Sequence, residues 1–249
     1  LLPRRAAVAV FLAFALAYFF SALLRAITAT LAPTLTQEFA LQARDLGLLA
    51  GGYFLGFAAT QLPLGQLLDR HGPRKVILGF LLVAVAGCGA FAMATSFTGL
   101  LAARMLCGVG VSACLMAPMT GFRRWLAPAT QLRANSWMLM VGALGAVAST
   151  LPVQWLVPML GWRPIFVILA AAVALAIALI AWQLPAWKQA PSKPNEAVPP
   201  EPTPTQSPGY ADIWRNRYFQ SLMPLAFLGY GGMVAMQTLW VTPWMVRVA

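Results

Sequence analysis

Long apolar runs separated by short polar segments set the pattern of this chain. A hydrocarbon core about 30 Å thick is crossed by roughly 20 residues of α-helix rising about 1.5 Å each. The pattern therefore predicts seven membrane-crossing helices, near residues 6–31, 45–68, 75–96, 99–121, 134–158, 164–185 and 217–246. Arg4 and Arg5 stand before the first run as they would before a signal peptide. That run is longer than a cleavable apolar region and carries Arg25 inside, so it reads as a true crossing.

Between the sixth and seventh runs the pattern stops. Pro191, Pro194, Pro199, Pro200, Pro202 and Pro204 crowd into a polar stretch, where their fixed φ and missing N–H deny it helix and ladder alike. The expected fold is an all-α membrane protein in three parts: a six-helix transmembrane bundle over 1–185, a Pro-rich cytoplasmic linker over 186–215, and over 216–249 the first helix of a second bundle. The rest of that bundle, the missing C-terminal half of the same polypeptide, is the expected partner.

Composition agrees with the pattern. The chain is 60% hydrophobic and 9% charged, where a water-soluble domain carries roughly 25% charged residues. Its 17 basic and 6 acidic residues leave +11, a surplus that invites a nucleic-acid reading until the charges are placed. Arg4, Arg5, Arg70, Arg74, Lys75, Arg123, Arg124, Arg133, Lys188, Lys193, Arg215 and Arg217 fall on one side of the alternating crossings, against Arg44, Arg163 and Arg247 on the other. Basic residues are retained in the cytoplasm, so the N-terminus is expected there. The charge follows from topology, and the expected partners are the bilayer and a small solute, with no nucleic acid. Cys88, Cys107 and Cys114 lie inside apolar runs without zinc-type spacing, and His71 is the single histidine. No metal, cofactor or catalytic centre is expected, and an enzyme is excluded for want of a nucleophile or paired carboxylates in the spans.

Ionisable residues at membrane depth are costly, about 2.5–3.5 kcal/mol for an Arg near the centre, and so are informative. Arg25 shares one helical face with Tyr18, Ser21 and Thr28, a polar stripe that belongs against a water-filled cavity or the bundle interior. Apart from Asp45 at the very start of the second span, no acid lies within any expected span, so its partner is the substrate or a group in the second half, unless it snorkels. A guanidinium flanked by hydroxyls suits a carboxylate or phosphate held by two parallel bonds. Arg104 lies near the outer end of the fourth run, within snorkelling distance. Tyr53 with Thr60, and Tyr230 with Gln237, are seven apart and are further wall candidates. The expected substrate-binding set is Arg25, Tyr18, Ser21, Thr28, Arg104, Tyr230 and Gln237.

The most specific string is Gly65-Gln-Leu-Leu-Asp69-Arg70-His71-Gly72-Pro73-Arg74-Lys75, between the second and third runs. Gly72 permits a tight reversal, the basic pair holds the loop in the cytoplasm, and Asp69, at a helix C-terminus, needs Arg70, Arg74 or another helix end. The string resembles the signature loop of the major facilitator superfamily. Arg104 with Gly108 and Gly110 resembles that family's R-x-x-x-G-x-G pattern, and Gly161-Trp-Arg-Pro164 stands where many members turn from helix 5 to helix 6. The resemblance implies that Gly65, Asp69, Arg70, Gly72 and Arg74 form a conformational latch, with Asp69 contacting a helix of the second half. It also implies a secondary transporter working by alternating access, expected in a bacterial inner membrane. Glycines on helix 2 (Gly47, Gly51, Gly52, Gly56) and helix 5 (Gly142, Gly145, with Ser149) serve either bundle packing or a seam for the second half.

Arg25 and the sequence Asp45-Leu-Gly47 resemble the organic anion and organophosphate antiporter branch. Those phosphate exchangers carry a second Arg in the first helix of their C-terminal half, which this chain lacks, so a monocarboxylate or other singly charged anion ranks ahead of phosphate. A drug and proton antiporter is the alternative substrate class, although helix 1 has no Asp and helix 5 only Gly142, Gly145 and a displaced Pro152. A transporter-like solute sensor is a further alternative, separable by net flux in liposomes.

Overall fold

The computed structural model describes residues 2–185 and 214–235. Gln237 and most of the expected linker lie outside them, as does the side chain of Tyr230. By internal contacts the chain divides into two units, Leu1–Trp187 and Lys188–Ala249.

The regular structure of the first unit is helical: α1 (Arg4–Phe39), α2 (Ala43–Met93), α3 (Phe97–Val111), α4 (Ala113–Trp125), α5 (Pro128–Ala148), α6 (Leu151–Leu160) and α7 (Trp162–Gln183). In the second unit α8 spans Arg217–Ala235, and Asn216 Oδ1 accepts the Tyr218 N–H at 2.9 Å to cap its start.

At 51 residues α2 would run about 76 Å, more than twice the membrane core. Gly72 divides it. Its backbone sits at φ 78, ψ 163, a region open essentially to glycine alone, so the chain reverses on one residue and helix resumes at Pro73. The first arm of α2, the second crossing, therefore extends three residues past the expected end at 68, through Asp69, Arg70 and His71. Two other crossings are interrupted. Ser112 separates α3 from α4, its hydroxyl bonded to Val109 O at 2.7 Å. Ser149 and Thr150 separate α5 from α6 ahead of Pro152, and the Ser149 carbonyl is taken by Thr30 Oγ1 of α1 at 2.7 Å. The first unit thus makes six crossings: α1, the two arms of α2, α3 with α4, α5 with α6, and α7.

Both ends of this bundle are stapled. At the basic end Leu2 N–H bonds Trp125 O at 3.0 Å, and the Arg74 guanidinium donates to Ala181 O at the end of α7. At the opposite end Arg163 donates to Ala94 O at 3.1 Å and to Glu38 Oε1 at 2.6 Å, while Trp162 Nε1 donates to Glu38 Oε2 at 2.6 Å. Gly161, at φ 79 and ψ 166, repeats the Gly72 turn there. Beneath it Phe91, Trp162 and Phe166 stack into the core, with Phe91 and Phe166 centroids 4.2 Å apart.

The middle of the bundle is glycine-mediated. A Cβ on Gly56 would stand 2.2 Å from Met105 O, and one on Gly108 2.0 Å from Tyr53 O. One on Gly110 would stand 2.2 Å from Ala84 N. Gly108 therefore seats α3 against the first arm of α2, and Gly110 seats it against the second. That is the physical content of the two glycines that follow Arg104.

Candidate functional site

The polar stripe of α1 lies at the centre of the first unit, and the structure narrows it. Tyr18, Ser21 and Thr28 are buried at 8%, 6% and 8% exposure, in the interior and not on an open wall. Tyr18 fits against α5 where a Cβ on Gly142 would come within 2.4 Å of Cε1, and Gly145 abuts the Phe19 carbonyl beside it. Ser21 meets the Cys114 thiol, and its carbonyl lies 3.5 Å from the Tyr53 hydroxyl. Arg25 alone of the four is half-buried. Its guanidinium makes no hydrogen bond or ion pair with any described residue, and the Glu38–Arg163 contact is the one ion pair among them.

Arg104 departs from the expected snorkelling. It is 1% exposed, and its guanidinium turns inward across α1, donating to Leu24 O at 2.8 Å and reaching Arg25 O at 3.5 Å. Its Cζ lies 4.8 Å from the Tyr53 ring centroid, a cation–π contact between two buried side chains. With no open face it clasps α3 to α1 and offers nothing to a solute in this arrangement. Leu24 O is also the carbonyl four residues before Thr28, the usual acceptor for a threonine hydroxyl in a helix. Occupied by the helix N–H and by Arg104, it leaves Thr28 Oγ1 buried without a partner, and Arg104 Nε is likewise unpaired.

Of the expected wall pair Tyr53 and Thr60, Tyr53 turns inward and Thr60 is half-buried. Tyr53 is 1% exposed and Thr60 Oγ1 bonds Phe57 O at 2.8 Å. Tyr230 belongs to α8, in the other unit. Glycines Gly52, Gly56, Gly142 and Gly145 are used in packing within the bundle, whereas Gly47 and Gly51 have nothing within 4 Å of a Cβ position.

In the signature loop, neither basic partner expected for Asp69 takes it. Arg74 is drawn to α7, because Ala181 O is an unpaired carbonyl at a helix end and a guanidinium satisfies it. Arg70 makes no hydrogen bond or ion pair with Asp69, whose exposed carboxylate has no such partner among the described residues. Asp45 accepts the Gln42 N–H at 2.9 Å and caps its own helix. Glu38 was overlooked as a structural acid. The available signal was charge at one end of the bundle: Glu38 just beyond the first run and Arg163 just before the sixth.

A family profile described as Major Facilitator Superfamily matches residues 14–248. The chain belongs to this superfamily. Among superfamily relatives it is 27% identical over 160 residues to the probable sulfoacetate transporter SauU of Cupriavidus necator, covering 63% of this chain and 36% of that one. It is 30% identical over 156 residues to a chloramphenicol resistance protein of Pseudomonas aeruginosa, covering 61% and 36%. The chain thus spans about a third of the length of these relatives. The crystal structure of a bacterial homologue of the human lysosomal transporter Spinster superposes with a TM-score of 0.74 at 20% identity, over 99% of this chain and 57% of that one. The superfamily fold and an integral, multi-pass membrane protein follow, and members of the family are transporters, not enzymes.

Proposed function

We propose that this chain supplies the first bundle of a secondary active carrier for a small organic anion, and that Arg25 is its anion anchor. One observation carries the reading: Arg25 is a half-buried guanidinium at membrane depth on α1 with no carboxylate or carbonyl from the described residues assigned to it, beside a fully buried Arg104 whose two terminal nitrogens donate to α1 carbonyls. An uncompensated charge of that kind is costly to keep, and a substrate carboxylate, sulfonate or phosphate offsets the cost while bound. The sulfoacetate named for one relative is an anion, which supports the class. Alternating access against a second bundle, with residues 186–215 as the cytoplasmic linker and α8 opening the second half, belongs to the same proposal. So do a cytoplasmic N-terminus in a bacterial inner membrane, which the basic end of the bundle supports, and a latch in which exposed Asp69 meets a helix of the second half. Tyr230 and Gln237 enter as contributions of that half to the cavity wall.

The test is thermal stabilisation of the complete carrier in detergent by a panel of anions, cations and neutral solutes, beside Arg25→Gln. A ligand at a hundred times its dissociation constant stabilises by about 2.7 kcal/mol. Anions alone are expected to raise the melting temperature, and the folded variant to lose that response. An unchanged response in the variant removes Arg25 from the site. The chloramphenicol resistance relative favours one other reading, a drug and proton antiporter, and stabilisation by neutral or cationic compounds alone decides for it.

A further inference from the structure

Where α2 doubles back at Gly72, its two arms enclose a groove of about 400 Å³ at the basic end of the bundle. Leu67 of the first arm and Phe80 and Val83 of the second form its sides, and Val109 of α3 closes its back. His71 and Lys75 stand at its mouth, one on each side of the turn. We propose that this groove holds an anionic glycerophospholipid, its phosphodiester at His71 and Lys75 and the first part of one acyl chain between the arms of α2.

The direction in which the groove opens decides between a lipid and a transported solute. No residue of α1 or α5 lines it, so it stands apart from the polar face that carries Arg25. On the first arm Leu67 follows Gly65, and His71 follows Asp69, by two residues, which is about 200° around a helix axis. The groove thus lies on the side of that arm turned away from Asp69, the residue assigned above to contact with the second half. The second arm is backed by α3, at Ala84 against Gly110, and by α7, at Phe91 against Phe166. Its remaining side, where Lys75 and Gly79 are both exposed, is left toward the bilayer.

Depth and chemistry fit one leaflet. From Lys75 to Val83 the second arm rises about 12 Å, against roughly 15 Å for half of a hydrocarbon core. Over that length the walls are apolar, and Gly79 makes room between them, since no atom lies within 4 Å of a Cβ placed there. At the mouth Lys75 brings a full positive charge and His71 an N–H donor in either protonation state. The second arm starts at this turn, and the positive end of its dipole adds to Lys75. Neither side chain has a hydrogen bond or ion pair with a described residue, whereas Arg74 beside them is taken by Ala181 O. A soluble anion would use the mouth alone. A phosphodiester carrying acyl chains uses both the cationic mouth and the apolar groove that continues inward from it.

Native mass spectrometry of the complete carrier, released from mixed micelles of equimolar phosphatidylglycerol and phosphatidylcholine, tests the proposal. The unaltered protein should retain phosphatidylglycerol preferentially, and equal retention of the two lipids overturns the proposal. Lys75→Gln should reduce that preference about fivefold, the worth of one basic group at a membrane surface. Arg5→Gln removes an equal charge from the same end of the bundle, outside the groove; if it lowers the preference as much, the attraction is diffuse and the site is overturned. Gly79→Leu fills the groove from an open position and should reduce lipid retention without lowering the melting temperature in detergent. Full retention by that folded variant also overturns the proposal. Soluble glycerol phosphate is the last arm: if it displaces phosphatidylglycerol at equal concentration, the mouth holds a soluble anion and not a lipid. Arg25→Gln should leave lipid retention unchanged, which keeps the outcome apart from that of the anchor test above.

Discussion

Replacing Gly108 by alanine tests whether close approach of α3 to α2 holds the bundle together. The added Cβ would sit 2.0 Å from Tyr53 O, 2.9 Å from Tyr53 C and 3.1 Å from Phe57 N, all backbone atoms that cannot rotate away. Ordinary contact begins near 3.4 Å, so the helices must part by more than 1 Å at this point. Parting them also loosens the Gly56 contact with Met105 O and strains the Arg104 bond to Leu24 O on the same helix. Overpacking of this kind costs about 1–3 kcal/mol, and a clash with rigid backbone belongs at the upper end. For a chain of this size about 3 kcal/mol corresponds to a melting shift of roughly 6–12 °C. The control is Gly79→Ala on the second arm of α2, where no atom lies within 4 Å of the new methyl. It should be neutral, or stabilising by up to about 1 kcal/mol through helix propensity. Fluorescence-detected melting in detergent measures both. Equal melting temperatures for the two variants would refute the packing argument.

Three further substitutions probe other parts of the fold. Ala40 is the one described non-glycine residue in the left-handed region, at φ 51, so Ala40→Gly should stabilise by about 1 kcal/mol and raise the melting temperature; a fall would show that the α1 terminus relaxes by another route. Arg104→Met removes one good charged hydrogen bond, worth about 1.5–3 kcal/mol, and a cation–π contact of about 0.5–2, while relieving about 2.5–3.5 of burial cost; a net change under about 2 kcal/mol is expected, and a larger loss would reveal an anionic partner. Glu38→Gln breaks a clamp whose partners are 35% and 41% exposed, so chemical denaturation should show a loss of at most about 1 kcal/mol that shrinks in high salt; a loss insensitive to salt would assign the stabilisation to the Trp162 bond alone.

Much of this architecture was legible in the order of residues. Apolar length marked the six crossings of the first unit, because bilayer thickness leaves little choice, and Gly72 marked the one-residue turn, because no other side chain tolerates its backbone. The rotation of each helix about its axis was less legible. The Tyr18–Thr28 stripe spans roughly 80° at 3.6 residues per turn with Arg25 inside that arc, so direction about the helix axis alone does not separate half-buried Arg25 from its buried neighbours. Periodicity names the stripe, but the glycines of α5 decide how deep it sinks. Arg104 misled for a related reason: nearness to a helix end suggests snorkelling, and only the position of the α1 carbonyls shows that an inward reach satisfies it better. The interruptions at Ser112 and at Ser149–Thr150 also escaped notice, since hydroxyls bonding back three residues leave hydropathy unchanged.

The two glycine turns carry a consequence for how the bundle came to be built. Gly72 lies between the second and third crossings and Gly161 between the fifth and sixth, with backbone angles that agree within 3°. Each is followed two residues later by an arginine that reaches a carbonyl at the end of the other arm's partner: Arg74 to Ala181, and Arg163 to Ala94. Such reciprocity is what duplication of a three-helix ancestor would leave behind. An odd number of crossings inverts the second copy, so equivalent turns emerge on opposite sides of the membrane. A reagent confined to one compartment should therefore reach one turn and never its twin, which makes a cysteine placed beside each a direct readout of ancestry and orientation together.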